Sequence, residues 1–287
     1  MPKVFPRFGW RRVPVNGYIR ELWASRELLA NLTMREIKGR YRRTILGQLW
    51  SLINPLATML VYTIVFSFLF RTAPPVGSPS GIESYPLFLL CGLLPWTFFS
   101  TTVISSITSV VEGESLIKKV YFPRLNLPLA AAGSAGFTWL IEMGLLAIVL
   151  LFFGAWTIPW LPLLLLFMLL QTMLASGIGM MLAILNVHFR DAQHFVAIAL
   201  QLGLYLTPIL YPITLVQQLA ADRGHWVVDV FELNPMEHFV AVFRSLLYDN
   251  RWPTAADSLW SVGSAVVLFA IGSFVFVRNE RSLGRLL

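Results

Sequence analysis

The stretch YPLFLLCGLLPWTFFSTTVISSITSVVEGESLIKKVYFPR, Tyr85 to Arg124, decides the fold. Its first part, Tyr85–Val111, holds no Asp, Glu, Lys, Arg or His. It also exceeds the about 20 apolar residues that an α-helix needs to cross the hydrocarbon of a bilayer. Its second part, Gly113–Arg124, is too short and too charged to cross, and a second long apolar run, Leu127–Phe153, follows it. Two membrane spans joined by a short basic segment is the reading.

The pattern extends along the chain. With 56% hydrophobic and only 13% charged residues among 287, there are too few polar side chains to cover a soluble domain. Six spans are expected, at Leu49–Phe70, Tyr85–Val111, Leu127–Phe153, Trp160–Val187, Phe195–Ile213 and Ala255–Val277. Turn-rich stretches such as RTAPPVGSPSG and GAWTIP separate them. The expected fold class is therefore an all-α polytopic membrane protein. It divides into an N-terminal segment 1–48, a six-helix membrane domain 49–277 and a C-terminal tail 278–287.

Charge orients the spans. Eleven of the 22 Lys and Arg precede residue 49. If that end is cytoplasmic, Lys118, Lys119, Arg124, Arg190, Arg278, Arg281 and Arg285 fall on the same side, leaving four outside. Such a split places both termini in the cytoplasm. It also explains the net charge of +7 without a nucleic-acid partner. No apolar leader core precedes Leu49, so a cleaved signal peptide is not expected. The single Cys91 lies inside an apolar run and cannot form a disulfide within the chain.

Two segments are more than connections. Residues 18–43 carry Ile19, Leu22, Trp23, Leu29 and Ile37 at near-helical spacing among Arg and Glu, which predicts an amphipathic helix at the cytoplasmic membrane face. Residues 214–254 contain FELNPMEHFVAVFRSLLYDN, whose apolar part is too short to span. It suits re-entrant or interfacial helices on the outer side.

Catalytic chemistry is missing. The chain has no Gly-Lys pair, hence no P-loop, and no Gly-x-Ser-x-Gly elbow. His188 and His194 lie six apart, off the spacing that puts two ligands on one helical face, and no metal site is expected. Glu142 is the one carboxylate well inside a span, either an interhelical hydrogen-bonding residue or a group near the transport route. A self-sufficient channel or secondary carrier would need more intramembrane charge, and a membrane glycosyltransferase would need acidic pairs in its loops. What remains is a membrane passage whose energy comes from elsewhere.

At this point LTMREIKGRYRRTILGQLWSLINPL resembles the approach to the first span in permeases of type-2 ABC exporters for lipid-linked polysaccharide: the O-antigen, teichoic acid, capsule and galactan class. The matching residues are Arg35, Glu36, Lys38, Arg40, Tyr41, Leu46, Gly47, Trp50 and Pro55. SLIKKVYFPRLNLPLA resembles that family's cytoplasmic coupling helix, FRDAQHFVAIALQLGLYLTPILYP its fifth span, and LNPMEHFVAVFRSLL its outer re-entrant region. The resemblance implies a homodimer in the bacterial inner membrane, among membrane lipids, docked on two ATP-binding cassette subunits. It implies no cofactor in this chain, with ATP and Mg on the partner subunit. The substrate implied is an undecaprenyl-lipid-linked polysaccharide or polyol-phosphate polymer, moved outward. A drug-type ABC exporter permease is the neighbouring alternative.

Residue roles follow from both lines. Glu112–Phe122 can form about three helical turns, with Leu116, Ile117, Val120 and Tyr121 apolar, Lys118 and Lys119 outward, and Pro123 as the stop before Arg124. By charge alone this is a topogenic loop. The resemblance makes Leu116, Ile117, Lys118, Lys119, Tyr121, Phe122, Pro123 and Arg124 the ATPase-coupling segment. Arg35, Lys38, Arg40, Arg42 and Arg43 are either an interfacial anchor or a cytoplasmic gate for the substrate pyrophosphate. Tyr62, Phe66 and Phe70, spaced i, i+4, i+8, either pack against lipid or line a channel for sugar rings. Asn234 is the expected N-cap of a helix with Pro235 first and Glu237 in its first turn, a candidate outer gate.

Overall fold

A computed structural model describes residues 15–40, 46, 47, 49–69, 76–223 and 226–286. Among them every regular element is helical, with no strand. Two short helices, α1 (Val15–Ala24) and α2 (Arg26–Arg40), lead to α3 (Leu49–Thr63), which continues as a wider π-type turn through Leu69. Then come α4 (Tyr85–Glu112), the single turn α5 (Glu114–Ile117), α6 (Asn126–Phe152), α7 (Leu161–His188) and α8 (Ala192–Leu206). Next are α9 (Ile213–Arg223), α10 (Trp226–Glu232), α11 (Pro235–Arg244), a second π-type turn to Asp249, and α12 (Ala255–Leu286).

Four segments are long and apolar enough to cross a membrane: Tyr85–Glu112, Asn126–Phe152, Ile158–His188 and Ala255–Glu280. The first and fifth expected spans are shorter apolar helices, Leu52–Thr63 and Ala192–Leu206. The fifth was expected to reach Ile213. It stops at Leu206 because Thr207 precedes Pro208, whose ring drives the preceding residue to extended backbone, here φ −94° and ψ 137°.

Most of α4 is buried, and it forms the centre of the bundle, flanked by α6, α7 and α11. Helices α4 and α7 run parallel, stitched by side-chain amides: Gln171 Nε2 donates to Pro95 O at 2.8 Å and Asn186 Nδ2 to Ile107 O at 3.2 Å. Away from water, these amide N–H groups find acceptors on the backbone of the neighbouring helix. Helix α12 runs parallel to α7 with backbones touching, since a Cβ on Gly272 would stand 2.1 Å from Gly177 O. Helix α6 is antiparallel to α4, with Trp139 stacked on Phe98 at 4.0 Å and edge-on to Phe243 at 5.6 Å. Glu142 is buried on α6.

The expected N-terminal amphipathic helix is two helices, hinged at Ser25, whose hydroxyl donates to Leu22 O at 2.9 Å. Its burial also differs from the periodic reading. Leu28, Leu29 and Leu32 pack with Phe122, Leu127 and Ala130, so α2 leans on α6, whereas Trp23 is exposed under the Arg26 guanidinium. The last helix continues past Val277 to Leu286 without a break.

Candidate functional site

The basic segment between α4 and α6 is shorter and firmer than its sequence suggests. Helix α4 ends at Gly113, where a Cβ would meet Leu127 at 2.8 Å and Ser109 O at 2.9 Å. One turn follows, and Lys118 pairs with Glu114 across it, holding the Glu114 carboxyl below its usual range. Helix then stops at Ile117 instead of running to Pro123. Val120, Tyr121 and Phe122 are β-branched or aromatic, and the residue before a proline avoids helical backbone.

The expected apolar side of Leu116, Ile117, Val120 and Tyr121 is therefore split. Leu116 and Ile117 pack inward with buried Phe122, whereas Val120 and Tyr121 are 55% and 83% exposed. Lys118 and Lys119 are exposed as expected, and Pro123 is buried. Three anchors hold the segment. Phe122 packs under α2. The Arg124 backbone N–H donates to Glu280 Oε1 at 2.6 Å and its guanidinium to the Glu280 carbonyl on α12. Asn126 Nδ2 donates to Ser25 Oγ at 2.9 Å. The loop is thus bolted to the N-terminal hinge and to the end of α12, and it presents Val120, Tyr121 and two lysines to the surroundings.

Beside it, Arg35, Glu36, Ser105, Ser109, Glu112 and Ser134 line a small polar cleft between α2, α4 and α6. Arg35 is exposed and pairs with its neighbour Glu36 at 3.2 Å, and Lys38 is exposed. Arg42, Arg43 and the side chain of Arg40 lie outside the described residues, as do Phe70 and the side chain of Phe66. Tyr62 is half-buried, with its hydroxyl 3.3 Å from that of Tyr205 on α8. This neighbour of Tyr62 is 143 residues away in the chain.

The opposite end of the bundle is organised by α11. Asn234 caps it, accepting from Met236 N at 3.0 Å, and its amide donates to Thr207 Oγ1 at 2.8 Å just past α8. Pro235 takes the first helical position. This is not a surface helix, because Phe239, Val242, Phe243 and Leu246 are all fully buried in the main core. Glu237 is buried, and burial pushes its carboxyl up to about 7.

Three residues here escaped the sequence reading. Arg244 donates to Pro208 O and Ile209 O, each at 2.6 Å, and lies 3.7 Å over the Phe88 ring, so it joins α11 to the broken end of α8 and to α4. His238 meets Asp257 of α12 at 2.8 Å and the Glu232 carbonyl at 2.8 Å. Burial disfavours charge on His238, but the Asp257 hydrogen bond, the Glu232 carbonyl and the Glu237 carboxylate outweigh it and raise its pKa. The one signal for Arg244 in the sequence is its charge inside an apolar stretch. His238 and Asp257 are 19 residues apart and gave none.

The described helices thus carry an exposed knob at one end of the bundle and a buried, capped helix at the other. The chain belongs to the ABC-2 type transporter family, which matches residues 27–248, from the start of α2 to the end of the turn after α11. Among its relatives is the O-antigen export system permease protein RfbA of Myxococcus xanthus, 32% identical over 90% of this chain and 94% of that one. The polysialic acid transport protein KpsM of Escherichia coli is 25% identical over 88% and 93%. The capsule polysaccharide export inner-membrane protein CtrC of Neisseria meningitidis is 24% identical over 93% and 96%.

Proposed function

We propose that the chain is the membrane subunit of an ATP-driven exporter that carries an undecaprenyl-lipid-linked polysaccharide or polyol-phosphate polymer out through the inner membrane. It works as a homodimer with two ATP-binding cassette subunits, which supply the ATP and Mg chemistry. Six spans with both termini cytoplasmic fit the charge distribution, 18 of 22 basic residues falling on one side. The parallel run of α4, α7 and α12 against antiparallel α6 fits the same count. The relatives' names support the substrate class, and they give no support to a drug exporter, a self-sufficient channel or a secondary carrier.

The observation that carries this reading is the exposed Val120–Tyr121 knob with Lys118 and Lys119, on a segment fixed to α2 and α12. An exposed aromatic beside two cations, held rigidly by its anchors, can receive a push from a partner and pass it into the bundle. Arg35, Lys38, Arg40, Arg42 and Arg43 then serve as the cytoplasmic gate for the substrate diphosphate, a reading that rests on their charge and on the exposure of Arg35 and Lys38. Tyr62, Phe66 and Phe70 line the route together with Tyr205, and Asn234, Pro235 and Glu237 belong to the outer gate.

The test is Lys119→Glu combined with Tyr121→Ala, co-expressed with the cognate ATP-binding subunit. Recovery of the complex by affinity purification and polymer at the cell surface should both fall at least about tenfold, the loss of a contact worth about 1.4 kcal/mol. Membrane insertion should be unchanged. An intact complex with intact export would sink the coupling role.

A further inference from the structure

We propose that Glu237, His238 and Asp257 form a binding site for a divalent ion of the zinc class, joining α11 to the start of α12. The site is read from the hydrogen-bond partners of one imidazole. His238 Nε2 lies 2.8 Å from the Glu232 carbonyl, which can only accept, so Nε2 carries a proton. Nδ1 faces two carboxylates, Asp257 Oδ1 at 2.8 Å and Glu237 Oε2 at 3.3 Å. A bare lone pair there would be repelled by both, so Nδ1 must hold a proton or a cation.

A proton serves one of them. Directed at Asp257, it leaves Glu237, whose side chain is only 9% exposed, with the longer 3.3 Å contact to Nδ1. A divalent ion serves all three ligands at once. For bonds of about 2.0–2.2 Å, ligand atoms around such an ion stand roughly 3.0–3.5 Å apart. The two separations from Nδ1, 2.8 and 3.3 Å, lie near that range, and the three ligand atoms are all within 4.8 Å of one another.

The surroundings are those of a ligating histidine. Its second nitrogen donates to a backbone carbonyl, which fixes the tautomer, and its ring lies parallel to Trp260, centroids 5.6 Å apart. Asp257 is held from behind by Thr254 Oγ1, which donates to Oδ2 at 2.6 Å. One imidazole with two carboxylates suits zinc, or manganese less tightly, whereas magnesium and calcium prefer oxygen alone. Two carboxylate charges balance the ion, and three protein ligands leave a position for water or an anionic oxygen.

The experiment uses the full chain purified in detergent, stripped with EDTA and titrated at neutral pH. Zinc chloride is followed by calorimetry and cobalt chloride by visible absorption. One ion per chain with a micromolar or tighter Kd is expected, with proton release as Nδ1 is displaced. Glu237→Gln and Asp257→Asn should each weaken binding at least about tenfold. Wild-type zinc affinity equal to that of the Glu237→Gln, Asp257→Asn double variant would overturn the site. So would a wild-type cobalt spectrum without bands above free cobalt, a result that needs no folded variant. Neither readout depends on export, so the metal site and the export reading stand or fall separately.

Discussion

Tyr121 and Phe122 are neighbours with opposite fates, one 83% exposed and the other 5%. In an extended segment successive side chains point to opposite sides, so burying Phe122 under α2 puts Tyr121 outward. Periodicity misplaces them, because a helical reading puts Tyr121 on the apolar side with Leu116, Ile117 and Val120, the reverse of its exposure here. Asn234 was legible by contrast, since an Asn before a Pro and an apolar run is a local signal. Asn234→Ala should lower stability by about 0.5–2 kcal/mol through the lost cap. Asn234→Asp keeps the acceptor for Met236 N but loses the donor to Thr207, so it should melt between the two. Thermal unfolding in detergent, followed by circular dichroism, checks the order.

At the level of elements, two contacts decide how helices hold together. Where α7 meets α12 there is room for hydrogen only, so Gly272→Val must separate the backbones. Overpacking of this kind costs about 1–3 kcal/mol. Gly144 on α6 has nothing within 4 Å of an added Cβ, so Gly144→Ala should be neutral or stabilising by up to about 1 kcal/mol. Melting temperatures of the two variants should move in opposite directions or, for Gly144→Ala, not at all. The second contact links the basic loop to α12 through Glu280. Glu280→Ala removes the acceptor for the Arg124 N–H, whereas Glu280→Gln retains one. Export should fall in the first and be largely kept in the second, with ATP-binding subunit still recovered in both. Loss of the complex in Glu280→Ala would make Glu280 a docking residue and not a link. None of these pairs was visible in the chain, because each joins elements far apart in sequence.

Across the whole molecule, topology can be read with cysteine labels, because the native Cys91 is fully buried. Ser115→Cys, exposed beside the basic loop, should react with a membrane-impermeant maleimide only when the cytoplasmic face is opened. Glu83→Cys, exposed before α4, should react from outside intact cells. Labelling of both from one side would refute the orientation. Apolar run length and the bias of Lys and Arg determined by themselves that this chain is helical, crosses a membrane and carries its basic loop on one side. Those properties depend on how local stretches partition between water and lipid, which each stretch does without reference to the others. Only the tertiary structure decided that α11 is buried and that Phe122, not Tyr121, packs under α2. It alone brought Arg124 to Glu280 and His238 to Asp257. Such choices are made by packing and by polar groups seeking partners away from water, and both depend on which distant helices come to lie side by side.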